Sequence, residues 1–530
     1  MHYWNLYFLL KTGLFYRGYT GFDWVLNLAL GTALAWPMPQ GRWRRLRSVL
    51  AWPAALALLY SDSYLPPPGR VLSQAKALLG FSADYWLELL QRAFSPTLAM
   101  GLVVIIGSYS LLARRIRFAT LALAGILSVP MVQFLQTDAA DPHTSVASLG
   151  DANASAATQQ PGTPDELVRA FYAEQSQRRI QFSASTTPPP FDIILLHVCS
   201  LSWDDMEFVG MRDHPLLQRF DVVFTDFNSA ASYSGPASLR VLHGTCGQQR
   251  HQQIYEGEDP ACYVFPSLEK IGYQTGALLN HDGVYENFAT MLEQKGGLQG
   301  KLLPNQSAPV HMQNFDGSPI YNDYALLSQW WKKHTAQGRS PTALYYNTVS
   351  LHDGNRVPGI TSRSSLDTYK PRLVQLLADF DRFINDLEKS KRPVALILVP
   401  EHGAALRGDK MQISGMREIP SPRITVVPTA VKLIGLPLPA APVGTPANNT
   451  PTAPLVVNQP MSYLDLFALL NDWFTDNPFA PQPLQTLAER IAKLPGTRFI
   501  SENADVVTLR NDAGQYFLKS GNDPWIKYAP

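Results

Sequence analysis

Phe191-Asp-Ile-Ile-Leu-Leu-His-Val198 runs directly into Cys199-Ser-Leu-Ser-Trp203, and this stretch sets the fold. A compact apolar run, entered from Pro188, Pro189 and Pro190 and left through small polar residues, has the length and composition of a buried strand. Similar runs recur at Val222–Phe224, Gly276–Leu279, Ala343–Val349, Val394–Val399 and Ile424–Val427. Between two of them Leu373, Leu376, Leu377, Phe380, Ile384 and Leu387 repeat at helical spacing, which predicts an amphipathic helix over Pro371–Lys389. Strands alternating with helices predict an α/β domain over 191–530 whose central, mostly parallel sheet is flanked by helices. The Pro-rich stretch Leu436–Pro460 reads as an irregular surface excursion, and no internal repeat is present.

Upstream, the chemistry of the chain changes. From Thr137 to Gln160 it turns to Ala, Ser, Asp, Thr and Gln, the composition of a flexible linker. Thr163, Pro164 and Glu166 supply an N-cap, an N1 proline and a capping-box acid for a helix over about 164–179, so 137–190 reads as a linker with one helix. Residues 1–136 hold four apolar stretches, Phe22–Pro39, Val49–Leu65, Thr97–Ala113 and Phe118–Leu135, each close to the ~20 residues that cross a bilayer. Arg42, Arg44, Arg45 and Arg47 separate the first two, and Arg114, Arg115 and Arg117 the last two, so both connections are expected on the cytoplasmic side. Everything after Leu135 then lies outside the cytoplasm. Trp4–Tyr16, interrupted by Lys11, is either a fifth span or an interfacial helix. One apolar core behind a charged start would suit a signal peptide; four separated stretches do not.

With 530 residues, roughly two to four domains are expected. Only 16% of residues are charged and the formal net charge is +1, which gives no footprint for nucleic acid or for an acidic polymer. Cys199, Cys246 and Cys262 are the three cysteines, an odd count that leaves one thiol outside any intrachain bridge.

In open α/β sheets, ligands collect beyond the carboxyl ends of the strands. Here those ends carry Cys199, Ser234 in Ser232-Tyr-Ser-Gly-Pro-Ala237, His352, and Glu401-His402-Gly403. A thiolate, a carboxylate and an imidazole with a fourth position open make a catalytic zinc site, and thiolate favours zinc over calcium, magnesium or manganese. Cys199, Glu401 and His402 are therefore candidate Zn2+ ligands. Coordination of the Ser234 oxygen at the fourth position would lower its pKa and make it a nucleophile. Singly, each has an ordinary explanation: a small core cysteine, an isolated Glu-His pair, a serine at a helix entry. Their coincidence at successive strand ends carries the assignment. His281 and Asp282 also follow a strand and would complete a second metal site, but a turn explains them better.

Taken together, Leu196-His-Val-Cys-Ser-Leu-Ser-Trp-Asp-Asp205, Phe227-Asn-Ser-Ala-Ala-Ser-Tyr-Ser-Gly-Pro-Ala237, Ser350-Leu-His-Asp-Gly-Asn355 and Pro400-Glu-His-Gly403 resemble the cellulose phosphoethanolamine transferases. That family belongs to the alkaline-phosphatase-like superfamily with the lipid A phosphoethanolamine transferases. The resemblance implies a bacterial inner-membrane, multi-pass enzyme with a periplasmic catalytic domain, beside the cellulose synthase secretion complex. It would move phosphoethanolamine from phosphatidylethanolamine to the C6 hydroxyls of cellulose, releasing diacylglycerol. Carried over by motif, Ser234 is the nucleophile, Cys199, Glu401 and His402 hold zinc, and Tyr233 lines the pocket. His352 contacts the phosphoryl group and serves as proton donor to the departing oxygen. Arg417 in Gly415-Met-Arg-Glu418 is a second phosphate contact or a solvated surface arginine. Lipid A transferases usually offer a threonine nucleophile, an aspartate before the metal histidine and an acidic ligand after the first strand, where this chain has Ser234, Glu401 and Cys199, which favours the cellulose branch. Cys246 and Cys262 flank a loop that can close in an oxidising compartment, and their disulfide would leave Cys199 free for metal. A zinc phosphodiesterase or phosphatase of the same superfamily, a lipid A-type transferase and a non-catalytic scaffold of the cellulose synthase machinery are the alternatives.

Overall fold

The computed structural model describes residues 2–39, 41–63, 65, 81–93, 96–113, 115–138, 162–257, 259–338, 340–360, 362, 364–436, 453–521 and 523–529. Most of the expected linker Thr137–Gln160, much of the Leu436–Pro460 excursion, and Arg114 lie outside them. Contacts cluster the described residues into two units: those of Met1–Gln74, Leu89–Gln159 and Gly408–Ile413, and those of Ala75–Glu88, Gln160–Arg407 and Ser414–Pro530.

The first unit is helical. The apolar stretches become His2–Tyr16, Trp24–Ala35, Arg42–Ser61, Pro96–Leu112 and Phe118–Asp138. Asp23 caps the second, its side chain accepting from the Leu26 amide at 2.9 Å. Among the described residues no helix is long and apolar enough to cross a membrane. Lys11, which interrupts the first apolar stretch, is buried with its Nζ 2.6 Å from Asp62, and Asn27 donates to the same carboxylate at 2.9 Å. Replacing Asp62 with Leu leaves the Lys11 ammonium buried without its counter-charge, so the Asp62→Leu protein is expected to lose about 3 kcal/mol or more, read as a lower thermal midpoint in detergent.

The second unit is built on a seven-stranded sheet. Its strands are β1 (Asp192–Val198), β2 (Val222–Asn228), β3 (Gln274–Leu279), β6 (Thr342–Thr348), β7 (Val394–Leu398), β8 (Val426–Ile434) and β9 (Leu455–Val457), with a separate hairpin of β4 (Val310–Gln313) and β5 (Pro319–Tyr321). The order is β3-β6-β1-β7-β8-β2-β9. Ile193 of β1 pairs in parallel with Ala343 of β6 and with Ala395 of β7. Only β8 runs against its neighbours β7 and β2, so the sheet is mostly parallel, as expected. Both faces are covered: Ile193 and Leu195 join one core with helices Val264–Lys270 and Tyr463–Thr475, while Ile194, Leu196 and Val198 join another under helix Tyr369–Ser390.

Two sequence expectations shift. Ile424–Val427 is not a strand throughout: Pro422 at N1 starts a helical turn over Pro422–Thr425, and the strand begins only at Val426. The helix at 164–179 has its Thr163/Glu166 capping box but ends at Gln175. Beyond it the chain turns to pair elsewhere, the Ile180 amide donating to Thr245 O at 2.7 Å and the Gly247 amide to Arg178 O at 2.9 Å. Val168 and Phe171 of this helix pack on Ile500 and Leu509 of a four-stranded antiparallel sheet, β10 (Ile500–Glu502), β11 (Val506–Arg510), β12 (Tyr516–Ser520) and β13 (Ile526–Tyr528), so the helix belongs to the second unit. Residues 81–88, assigned by sequence to the N-terminal region, also cluster with it.

Cys246 and Cys262 form a disulfide across a sequence separation of 16, and Cys199 is free. A closed loop of that size constrains the unfolded chain by roughly 3 kcal/mol. The double variant Cys246→Ser/Cys262→Ser is therefore expected to unfold at lower denaturant concentration by about that free energy.

Candidate active site

Three parallel strands end side by side, and the sheet fixes the residues just beyond them. The Cys199 amide continues the ladder to Thr348 O at 2.9 Å, and the Glu401 amide bonds Val198 O at 2.8 Å. Ser200 then takes a left-handed conformation, φ 62°, which lets the Leu201 amide reach His402 O at 2.7 Å. A non-glycine residue held there stores roughly 1–2 kcal/mol of backbone strain, a cost that recurs at functional sites. Gly403 must follow His402: a Cβ there would sit 2.5 Å from Ser202 Oγ and 2.6 Å from Asp205 Oδ2. Asp205 is in turn the buried acceptor for the Ala404 and Leu406 amides.

This framework brings the expected donors together. Cys199, Glu401 and His402 are fully buried, and one ligand atom of each lies within 4.8 Å of the others. Cys199 Sγ is 4.0 Å and Glu401 Oε2 3.7 Å from His402 Nε2. Ser234, first residue of helix Ser234–Leu242, places its Oγ 3.4 Å from Cys199 Sγ and 3.3 Å from His402 Nε2. His402 Nδ1 donates to Gly403 O at 2.8 Å, which turns the Nε2 lone pair toward the cluster. Glu401 Oε1 accepts from Asn347 Nδ2 at 2.5 Å, while its buried Oε2 has no hydrogen-bond partner.

These groups fit a soft divalent cation. Burial pushes the Cys199 thiol up to about 12, raises Glu401 and drives His402 well below its ordinary value. An isolated carboxylate oxygen inside a protein is costly unless paired or bound to a metal. A dication held by the sulfur, the oxygen and the nitrogen would satisfy all three, and a sulfur donor would favour zinc-like ions. Cys199 also has an apolar flank, against Met312, Ile320 and Val349.

Arg417 and Tyr233 lie beside the cluster, and His352 is near enough to bear on the charge of His402. Arg417 Nη1 lies 3.3 Å from Ser200 Oγ, its guanidinium sits 5.6 Å from the centre of the Tyr233 ring, and Tyr233 donates to Glu418 Oε1 at 2.5 Å. Arg417 is thus half-buried beside the donors, not a solvated surface residue. His352 Nδ1 donates to Asp353 O at 2.7 Å, leaving Nε2 as an acceptor, and burial with the Arg417 charge lowers the imidazole to about 4. His352 therefore rests neutral. His281 turns away from the cluster, accepting the Gly283 amide on Nδ1 and donating from Nε2 to Asn347 Oδ1 at 3.1 Å.

Two participants were not singled out by sequence. Asn347 links Glu401 to His281, and its signal was an amide near the end of an otherwise apolar strand. Asn503 donates to Arg417 O at 3.2 Å and Ser232 Oγ at 2.7 Å, and nothing local marks it, since it follows β10 far from the other motifs.

An α/β sheet that gathers a thiol, a carboxylate, an imidazole and a serine hydroxyl beyond its strand ends defines the class: an α/β protein with a candidate metal centre beside a serine hydroxyl. The chain belongs to the cellulose biosynthesis protein BcsG family, whose C-terminal domain model matches residues 149–525 and whose N-terminal domain model matches 4–131. It is 34% identical to the cellulose biosynthesis protein BcsG of Escherichia coli K12 over 549 residues, covering 99% of this chain and 96% of the relative. The Salmonella typhimurium protein of that name matches at 34% identity with 99% and 96% coverage. Among solved structures, a protein in the alkaline phosphatase superfamily from Vibrio parahaemolyticus is similar, with a TM-score of 0.47, 13% identity, and 69% of this chain and 88% of that one covered.

Proposed function

We propose that this protein is a zinc-dependent transferase that moves phosphoethanolamine from phosphatidylethanolamine to the glucose C6 hydroxyls of cellulose through Ser234, in the alkaline-phosphatase-like manner. The observation that carries it is Ser234 Oγ, 3.4 Å from Cys199 Sγ and 3.3 Å from His402 Nε2, with buried Glu401 Oε2 3.7 Å from the same nitrogen. Cys199, Glu401 and His402 would hold the ion, with Ser234 next to it. Zinc bound there supplies Lewis-acid polarisation of the phosphoryl group and makes a nearby hydroxyl more acidic.

The chain's own groups do the rest. Ser234 Oγ bonds to phosphorus as the phosphorus–oxygen bond to diacylglycerol breaks. His352 Nε2, neutral at rest, takes the serine proton and passes it to the departing diacylglycerol oxygen, the donor role expected from sequence. In the second half a glucose hydroxyl displaces Ser234, with His352 taking the hydroxyl proton and returning it to the serine. Arg417 and the first turn of helix Ser234–Leu242 face the anionic phosphoryl group. Tyr233, the N-cap residue, lines the pocket.

The cellulose acceptor is supported by the family's role in cellulose biosynthesis. The apolar N-terminal helices and their arginine clusters support an inner-membrane protein with its catalytic domain in the periplasm, where a lipid donor and the cellulose synthase secretion complex are both at hand. A disulfide suits that compartment. Purified protein given zinc and phosphatidylethanolamine vesicles should carry one phosphoethanolamine on the Ser234 peptide, discharged by soluble cello-oligosaccharide. Donor turnover without any glucan would instead mark a phosphodiesterase, and an unmodified serine overturns the proposal.

A further inference from the structure

The loop that carries His352 is held from two sides. Arg372 of helix Tyr369–Ser390 donates to Ser350 O at 2.9 Å, to His352 O at 3.0 Å and to Ser365 O at 3.1 Å. On the other side stands a segment that precedes the whole sheet in sequence. Glu88, 2% exposed, accepts on Oε1 from the Ser365 amide at 2.7 Å and from Ser364 Oγ at 2.9 Å, with Ser365 Oγ at 3.1 Å, and on Oε2 from Arg356 Nη2 at 2.7 Å. Tyr85 OH donates to Asp353 Oδ2 at 3.2 Å. The Tyr85 ring leaves no space beside the loop: a Cβ on Gly354, φ 81°, would lie 2.9 Å from Tyr85 Cε2 and 2.5 Å from Phe315 Cβ. Phe315 lies 5.8 Å from Tyr85 and 5.1 Å from the His352 ring, centre to centre.

A carboxylate is buried this completely only where its donors are fixed. The donors named above, on Arg356, Ser364 and Ser365, follow His352 closely in the chain. We infer that Glu88 and Tyr85 are positioning residues for His352: the segment 81–88 clamps the chain that follows His352 at Asp353, Arg356, Ser364 and Ser365, and makes phosphoryl transfer depend on a piece of chain outside the catalytic motifs. The inference rests on the reading of His352 as the proton shuttle. The charged groups facing that imidazole are Arg417, Asp353 and Arg372, and the clamp holds the loop that bears Asp353.

The test uses the full chain, zinc-loaded, in phosphatidylethanolamine vesicles with soluble cello-oligosaccharide. Glu88→Ala should lower kcat by about 100-fold, the scale of an ångström-sized misplacement, while zinc content and the KM for oligosaccharide stay at wild-type values. Amide exchange should rise within 352–365 and not around Cys199 or Glu401. Glu88→Gln, which retains the Ser364 and Ser365 bonds, should recover most of the rate. Tyr85→Phe keeps the ring and loses only the hydroxyl, so it tests the clamp even if Glu88→Ala does not fold, and should lower kcat several-fold. Wild-type kcat in both Glu88→Ala and Tyr85→Phe overturns the inference, as does a Glu88→Ala defect matched by equal loss of zinc and no rescue in Glu88→Gln. Wild-type transfer by His352→Ala would instead sink the role given to His352, with loop exchange still reporting the clamp.

Discussion

The Ser234→Ala protein is expected to acquire no phosphoethanolamine from phosphatidylethanolamine vesicles, and its transfer to cello-oligosaccharide should fall by about 10⁴-fold or more, the scale seen when a catalytic nucleophile is deleted. The loss is chemical rather than structural. Ser234 occupies the first helical position, not the N-cap, and the N-cap residue Tyr233 makes no side-chain capping bond, so alanine costs the helix nothing. Its hydroxyl lies against Cys199 Sγ and His402 Nε2, which the sheet positions independently of it. Zinc content and thermal midpoint should match the wild type. Tryptic mass spectrometry decides the matter: an adduct persisting on another residue of Ser234→Ala would move the nucleophile elsewhere.

Cys199→Ala is expected to be as inactive by a different route. The sulfur is one of three donors among the described residues that converge within 4.8 Å, and without it a carboxylate and an imidazole remain, too few for a stable site in the face of dialysis. Removing even an outer partner of a metal ligand weakens metal binding by about 10–100-fold, so deletion of the ligand should exceed that. Elemental analysis should find one zinc per wild-type chain and a small fraction of that in Cys199→Ala. Chelation of the wild type should then lower its thermal midpoint, whereas the variant should not respond. A variant that keeps its zinc would remove Cys199 from the site.

The strand ends were legible because a parallel sheet buried on both faces demands continuous apolar runs, and polar residues such as Cys199 and Glu401 stand out where those runs stop. Helix Tyr369–Ser390 was legible for its periodicity. Strand direction was not: Val426–Ile434 is as apolar as its parallel neighbours, and nothing in its composition tells that it runs the other way. The site's supports were less visible still. Asn347 looks like any polar interruption, Asn503 lies beyond the last motif, and Glu88 sits in a stretch whose surroundings speak only of apolar helices. A side chain that acts by holding another leaves no pattern of its own.

The register of β1 has a consequence for biogenesis. Ile193 finds its two partners at Ala343 and Ala395, so the middle of the sheet stays open while a long intervening chain emerges. Loop closures of that span make assembly slow. Cys199 ends β1, and it meets Glu401 and His402 only after β7 has docked. The three donors therefore come into reach of one another only when distant parts of the chain have closed the sheet.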